Sequence, residues 1–309
     1  MRQGLLWLSE RPAIFRFVKR NGMARKFASR FVAGETIDSA VSAARDLAGR
    51  GITSSLDLLG ESVTEEREAV AACDQYVRMV DSLSAAGAEV NVSVKLTQMG
   101  LDIDEDLCAA NLVRILEKAE QLGGFVRIDM EGSDYTQRTL DFFRERLFER
   151  FGRHCGVVIQ AMLRRSAADV ADLIAMKARV RLCKGAYLEP PDVAFGEKVA
   201  VDRNYIALME HLLAAGNYPA VATHDQAILA HARSFATRQD LSSDRFEFQM
   251  LYGVRRDLQV SLRRAGYRMR VYVPFGTQWY PYLMRRLAER PANIAFILGN
   301  LARESLSRQ

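Results

Sequence analysis

After a basic N-terminal segment, the chain alternates short runs rich in β-branched and aliphatic residues with longer stretches whose apolar positions recur every three to four residues. The runs Ile52–Leu58, Glu89–Leu96, Phe125–Met130, Val157–Met162, Arg179–Lys184, Ala220–His224, Arg245–Leu251 and Arg268–Val273 read as strands. The stretches Ser62–Ala86, Glu105–Leu122, Tyr135–Phe151, Ala167–Met176, Ala200–Ala215, Gln226–Ala236 and Asp257–Ala265 read as helices. Strand and helix in alternation predict parallel pairing through right-handed crossovers, and eight strands predict an α/β fold closed into a distorted (βα)8 TIM barrel. A doubly wound sheet competes with this reading, but no Gly-x-Gly-x-x-Gly follows the first strand. The pattern divides the chain into a helical, basic extension over 1–45 and a catalytic barrel over 46–309. Directly after the last strand, Trp279 to Arg290 patterns as one more helix, placed to cap the barrel mouth.

Parity within the strands makes the interior unusual. Val92, Val94 and Leu96 fall on one side and Asn91, Ser93 and Lys95 on the other; Val126, Ile128 and Met130 oppose Arg127 and Asp129. The same split separates Val180 and Leu182 from Arg179 and Arg181, Phe246, Phe248 and Met250 from Glu247 and Gln249, and Met269, Val271 and Val273 from Arg268, Arg270 and Tyr272. The apolar set must face the helices, so the charged set faces the lumen. Buried charges cost several kcal/mol each unless paired, which predicts a network among Lys95, Arg127, Asp129, Arg179, Arg181, Glu247, Arg268 and Arg270. Its lower layers read as structural ion pairs. Its upper layer lies at the C-terminal strand ends, where barrel active sites sit, and comprises Glu61, Lys95, Asp129, Gln160, Arg181, Lys184, Thr223, His224, Leu251 and Tyr272.

The terminal helix adds cations to that end. Helical spacing sets Tyr282, Arg285, Arg286 and Glu289 within one turn of each other. Two adjacent guanidinium groups, each a rigid fork of donors that stays protonated, make a clamp for a small carboxylate or phosphate. An exposed Arg285–Glu289 pair is the plainer reading of the same four residues.

Composition narrows the class. With 309 residues, 49% hydrophobic and 26% charged, the chain is an ordinary globular protein with a sizeable core. Cys73, Cys108, Cys155 and Cys183 form no Cys-x-x-Cys pair, and His154, His211, His224 and His231 show no His-Glu-x-x-His spacing, so neither a disulfide framework nor a metal is expected. No run of about 18 apolar residues predicts a membrane span. The net charge of +5 is uneven: between Met1 and Arg30 lie eight Arg or Lys against Glu10 alone, interleaved with Leu5, Leu6, Trp7, Ile14, Phe15, Phe17 and Phe27. That segment suits an anionic membrane surface or amphipathic helices packed on the body with a basic outer face, with nucleic acid a third option to which the pI of about 9.1 adds little.

Seven motifs occur in order: Val-Ser-Val-Lys-Leu (92–96), Arg-Ile-Asp-Met-Glu (127–131), Val-Ile-Gln-Ala (158–161), Arg-Leu-Cys-Lys-Gly-Ala-Tyr (181–187), Ala-Thr-His-Asp (222–225), Phe-Gln-Met-Leu-Tyr-Gly (248–253) and Tyr-Leu-Met-Arg-Arg-Leu-Ala-Glu (282–289). Together they resemble the monofunctional, bacterial-type proline dehydrogenase family, from about Phe31 almost to the C-terminus. The resemblance implies a distorted barrel that holds FAD noncovalently and oxidises L-proline to Δ1-pyrroline-5-carboxylate, with electrons passed to a quinone. Without an aldehyde dehydrogenase module, the chain is expected to carry only the first step of proline catabolism. The scattered cysteines suit a reducing cytosol, the basic N-terminus offers peripheral contact with the inner face of the cytoplasmic membrane, and a charged lumen argues against a nucleic-acid partner, whose binding patches would lie outside.

Carried over by motif, the resemblance assigns the substrate carboxylate to Lys95, Arg285 and Arg286, and the walls of the substrate ring to Leu251, Tyr272 and Tyr282. Glu61 is the acid that shuts the site on the first clamp arginine, and Glu289 is the clamp's helical neighbour. Arg181 lies beside the reactive flavin nitrogen and Asp129 organises the substrate-side cations. Met130, Gln160, Arg181, Lys184, Gly185, Ala186, Thr223 and His224 are the implied flavin contacts. A second chemistry stays open on the residues alone: Lys95 or Lys184, desolvated at a strand end, suits a Schiff-base aldolase.

Overall fold

The computed structural model describes residues 28–289, with side chains as far as Met284. The basic segment before residue 28 and the side chains of Arg285, Arg286 and Glu289 therefore lie outside the described residues. Eight parallel strands close into a barrel in sequence order: β1 (Thr53–Leu58), β2 (Asn91–Val94), β3 (Phe125–Ile128), β4 (Cys155–Gln160), β5 (Arg179–Cys183), β6 (Ala220–Ala222), β7 (Glu247–Leu251) and β8 (Met269–Phe275). Closure is made by β1 against β8, with Ser55 level with Tyr272 and Asp57 level with Pro274.

The connecting helices are α2 (Glu66–Ala85), α3 (Glu105–Gln121), α4 (Ser133–Phe142), α5 (Ser166–Ala175), α6 (Lys198–Ala215), α7 (Gln226–Arg238) and α8 (Arg256–Arg264). Their apolar faces meet the outward strand residues: Val92, Val94, Val126, Ile128, Val180, Leu182, Phe248, Val271 and Val273 all lie in one core with Tyr76, Leu83, Leu112, Leu116, Leu173 and Leu212. The jacket is thus dry and the lumen takes the charges.

Two helices outside the repeat decide the shape of the mouth. α1 (Ile37–Ala48), begun by a reciprocal Thr36–Ser39 capping box, buries Ala40, Val41, Ala44 and Leu47 against β1, β8 and α2. It spans the division that patterning sets after residue 45, and it fills the jacket place between the first and last strands. The helix after β8, α9 (Trp279–Glu289), instead packs Trp279, Tyr280, Tyr282, Leu283 and Met284 on Leu59, at the C-terminal end of β1, and on Ala28 and Val32. Trp279 Nε1 donates to Glu35 Oε1 at 3.0 Å, and Ala33 N donates to Pro274 O at 2.8 Å, tying the capping helix to the approach of α1.

Several boundaries depart from the pattern. Residues Ser62 to Glu65, expected as helix, stay outside α2 because Ser62, at φ +55°, gives its N–H to Thr97 Oγ1 at 2.9 Å. The expected helix Tyr135–Phe151 widens into a π-helical stretch over Phe143–Phe148, which seats Phe143 and Leu147 in the core. The strands expected to run to Leu96, Met130 and Met162 end earlier, so Lys95 and Asp129 stand just beyond the sheet.

Candidate active site

At the mouth, the upper lumen residues meet. Arg181, on β5 and 5% exposed, donates to Asp129 Oδ1 at 2.7 Å and to Ser93 Oγ at 3.1 Å. Tyr272, from β8, donates its hydroxyl to Asp129 Oδ2 at 2.8 Å, and its ring centroid lies 5.3 Å from the Arg181 guanidinium carbon. Asp129 therefore bridges a cation and a phenol across the barrel. Burial, then the Asp129 carboxylate, pushes the Tyr272 hydroxyl well above the ordinary tyrosine range, so it remains a donor. Arg181 Nε is buried and has no hydrogen-bond partner among the described residues.

Lys95, just past β2, donates to Asp57 Oδ1 at 3.1 Å. Burial alone would strip its proton, but Asp57, Asp129 and Glu61 outweigh burial and raise its pKa above the usual lysine value. A lysine that holds its proton this firmly is the reverse of a Schiff-base nucleophile. Lys184 fares no better in that role: it is paired to Asp202 and, at 2.9 Å, to Asp225. Asp225 also caps α7 by accepting from Ala227 N at 3.1 Å, and Lys184 helps hold its carboxyl down at about 2.

The remaining candidates line the rim from β3 to β7. Gln160 Nε2 donates to Glu131 O at 2.8 Å, Met130 is buried, and His224 Nε2 accepts from Leu251 N at 2.9 Å, joining the ends of β6 and β7. Gly185 sits at φ +108°, a backbone conformation that L side chains rarely adopt, and a Cβ there would force the Met162 side chain to shift. Thr223 is buried and holds Asp225 N at 3.1 Å. Tyr282 belongs to the apolar cluster that seats α9.

The structure departs from the lumen network at its lower end. Arg268 is not inside: it is exposed at the base and donates to Tyr218 Oη at 3.2 Å. Arg127 finds no carboxylate among the described residues; it donates to Arg179 O at 2.6 Å and Val157 O at 3.2 Å and stacks on Phe125. Burial and the neighbouring Arg181 and Arg179 push its pKa down. The expected ion pairing is realised at Arg270, which meets Glu247 at 2.9 Å and Glu89 at 2.8 Å.

Asp57, Ser93 and Glu131 are missing from the residues singled out by sequence. Thr53, Ser55 and Asp57 share the lumen parity of Ser93 and Lys95, so alternation in the first strand carried the signal. Glu131 accepts from Thr97 Oγ1 at 2.6 Å and Thr97 N at 3.2 Å, fixing the loop that bears Lys95; nothing in the local sequence distinguishes that acid from a solvated one.

A family model described as proline dehydrogenase matches residues 40–298. A protein named proline dehydrogenase from Deinococcus radiodurans is 42% identical over 303 residues, covering 97% of both chains. Proline dehydrogenase 1 of Bacillus subtilis is 40% identical over 306 residues, covering 98% of this chain and 100% of that one. Among solved structures, proline utilization A from Bdellovibrio bacteriovorus superposes with a TM-score of 0.82 at 26% identity, over 97% of this chain and 40% of its own length. Match, identity and superposition cover the barrel and every strand end that builds the mouth, and the chain belongs to the proline dehydrogenase family.

Proposed function

We propose that this chain oxidises L-proline to Δ1-pyrroline-5-carboxylate, the first step of proline catabolism, at the constellation of Lys95, Asp129, Arg181 and Tyr272. The observation that carries the reading is the bridge from Arg181 through Asp129 to Tyr272, which joins three strands at the barrel mouth. In the reaction a C5–H bond breaks with its electron pair, the ring nitrogen gives up a proton, and a C=N bond forms. Met130, Gln160, Arg181, Lys184, Gly185, Ala186, Thr223 and His224 would hold FAD noncovalently, which would supply the two-electron acceptor, with a quinone as the onward acceptor. The positive φ at Gly185 and the unanswered Nε of Arg181 fit a role in holding such a polar ring system.

The chain's own part is binding and orientation. Lys95, with Arg285 and Arg286 from α9, clamps the substrate carboxylate, and Glu61 and Glu289 steady those arginines. Leu251, Tyr272 and Tyr282 wall the ring. Asp129 holds Arg181 and Tyr272 in fixed places, so neither reorganises when a substrate arrives. The Arg181 cation faces the acceptor side, where it favours developing negative charge. We assign the basic segment between Met1 and Arg30 to peripheral contact with an anionic membrane, which predicts vesicle binding that weakens with salt; binding indifferent to salt would refute it.

Colour and affinity test the reading together. The purified protein should show flavin absorbance that bleaches on adding L-proline; a protein that stays colourless after FAD reconstitution sinks the proposal. Arg286→Ala should keep its flavin while KM for proline rises about 10–100-fold, the loss of one charge-assisted pair. An unchanged KM would remove Arg286 from the clamp.

A further inference from the structure

We propose that Asp57 is the positioning residue that keeps Lys95 charged and in place for the substrate carboxylate, an inference that rests on the proposed role of Lys95. Asp57 is 0% exposed and Lys95 8% exposed, and Oδ1 to Nζ is 3.1 Å. An ammonium at that depth sheds its proton unless a counter-charge stays with it. The acidic groups around Lys95 are Asp57 from β1, Glu61 from the loop after β1, and Asp129 and Glu131 after β3, with Tyr187 after β5 beside them. Asp129 already accepts from Arg181 and Tyr272, so its charge is shared. Asp57 alone makes an ion pair with Lys95 among the described residues.

The second oxygen of Asp57 sharpens the assignment. Oδ2 is buried with no hydrogen-bond partner among the described residues. Tyr272 lies within reach of the Asp57 carboxyl, but the phenol's single proton goes to Asp129. Buried polar groups kept for packing are normally answered on every side. A carboxylate left half answered beside a lysine acts through its charge. The ammonium has three N–H donors and the pair with Asp57 takes one, so an incoming carboxylate can bind without displacing Asp57. Removing the Asp57 charge takes away the largest of the charges that hold the Lys95 proton against burial, and it frees the side chain to turn.

The test is calorimetric titration of the flavin-loaded protein with cyclopentanecarboxylate, a ring acid without an amine, between about pH 6 and pH 10. In the wild type, affinity should be flat across that range. In Asp57→Asn, Kd should weaken about tenfold and an alkaline limb should appear within the range, while the flavin spectrum keeps its wild-type shape. Adding Lys95→Arg to Asp57→Asn should abolish the limb, because a guanidinium stays protonated without help. A flat profile in Asp57→Asn, or a limb that survives Lys95→Arg, overturns the assignment. If the amide does not fold, Asp57→Ser is read the same way. Lys95→Met separates the two levels: unchanged binding in that variant would dismiss Lys95 from the clamp itself.

Discussion

The two ends of the lumen are built from the same residue types and put to opposite uses. At the base, Glu247 accepts from Arg270, Gln249 and Tyr218, while Arg270 also reaches Glu89 and Ser54 O. Arg179 there is stacked between Phe125, at 4.2 Å, and Tyr218, at 4.5 Å. Nearly every charge is closed onto a neighbour, Arg179 Nε excepted. At the mouth, Arg181 Nε and Asp57 Oδ2 are buried and unanswered among the described residues. A closed network holds strands in register; an open one holds charges ready for something that arrives. A depression of about 1330 Å³ lies at the base beside Glu247, Arg268 and Arg270, so a cavity by itself does not mark the end that carries the site. The state of the donors distinguishes them.

The strongest test of this contrast is at the base. Glu247→Leu leaves Arg270 with Glu89 alone, and breaking such a buried pair costs about 3–5 kcal/mol. A clear fall in the denaturation midpoint is expected, and a variant as stable as wild type would mean that the base is not what holds the barrel. The same pair predicts an acid limb. Burial raises the Glu247 carboxyl, but Arg270 outweighs it and holds it at about 2, below the ~4.3 of a free glutamate. Its contribution is therefore fully present above about pH 4.3 and lost as pH falls towards 2. The acid limb of stability should flatten in Glu247→Leu.

Next in size is the mouth. Arg181→Lys keeps the charge but loses the fork that reaches Asp129 and Ser93 together. The variant should fold and hold flavin with little change in midpoint, while kcat for proline falls about 100-fold, the scale of losing one preorganised donor. A stability loss as large as that of Glu247→Leu would erase the distinction between the two ends.

The smallest effect concerns which ring is accepted. Tyr272 is pinned by Asp129, and in its proposed role as a wall of the ring it would meet a 4-hydroxyl and leave it without a partner, which costs roughly 1–3 kcal/mol. L-Proline should exceed trans-4-hydroxy-L-proline in kcat/KM by about tenfold or more. Tyr272→Ser should narrow that ratio, mainly through poorer turnover of proline. Equal use of both substrates by the wild type would show that this phenol is not the wall.

Much of this was legible in the chain because strand parity and helical spacing are local properties. Alternation of Val92, Val94 and Leu96 with Ser93 and Lys95 committed the polar set to the lumen, and eight such runs separated by amphipathic stretches left little choice but a barrel. The motifs from 92–96 to 282–289 identified the family before any coordinates. What sequence could not decide is which charges answer one another. Asp57 and Lys95 lie far apart in the chain and meet because β1 pairs with β2, whereas Asp129 and Tyr272 meet across the lumen because closure of β1 on β8 bends the sheet into a barrel. Arg127 and Arg268 carry the same lumen parity, yet one is buried on backbone carbonyls and an aromatic face and the other stands in solvent. Parity gives the side of a strand, whereas depth along the barrel axis depends on register between strands, and only the folded chain sets that.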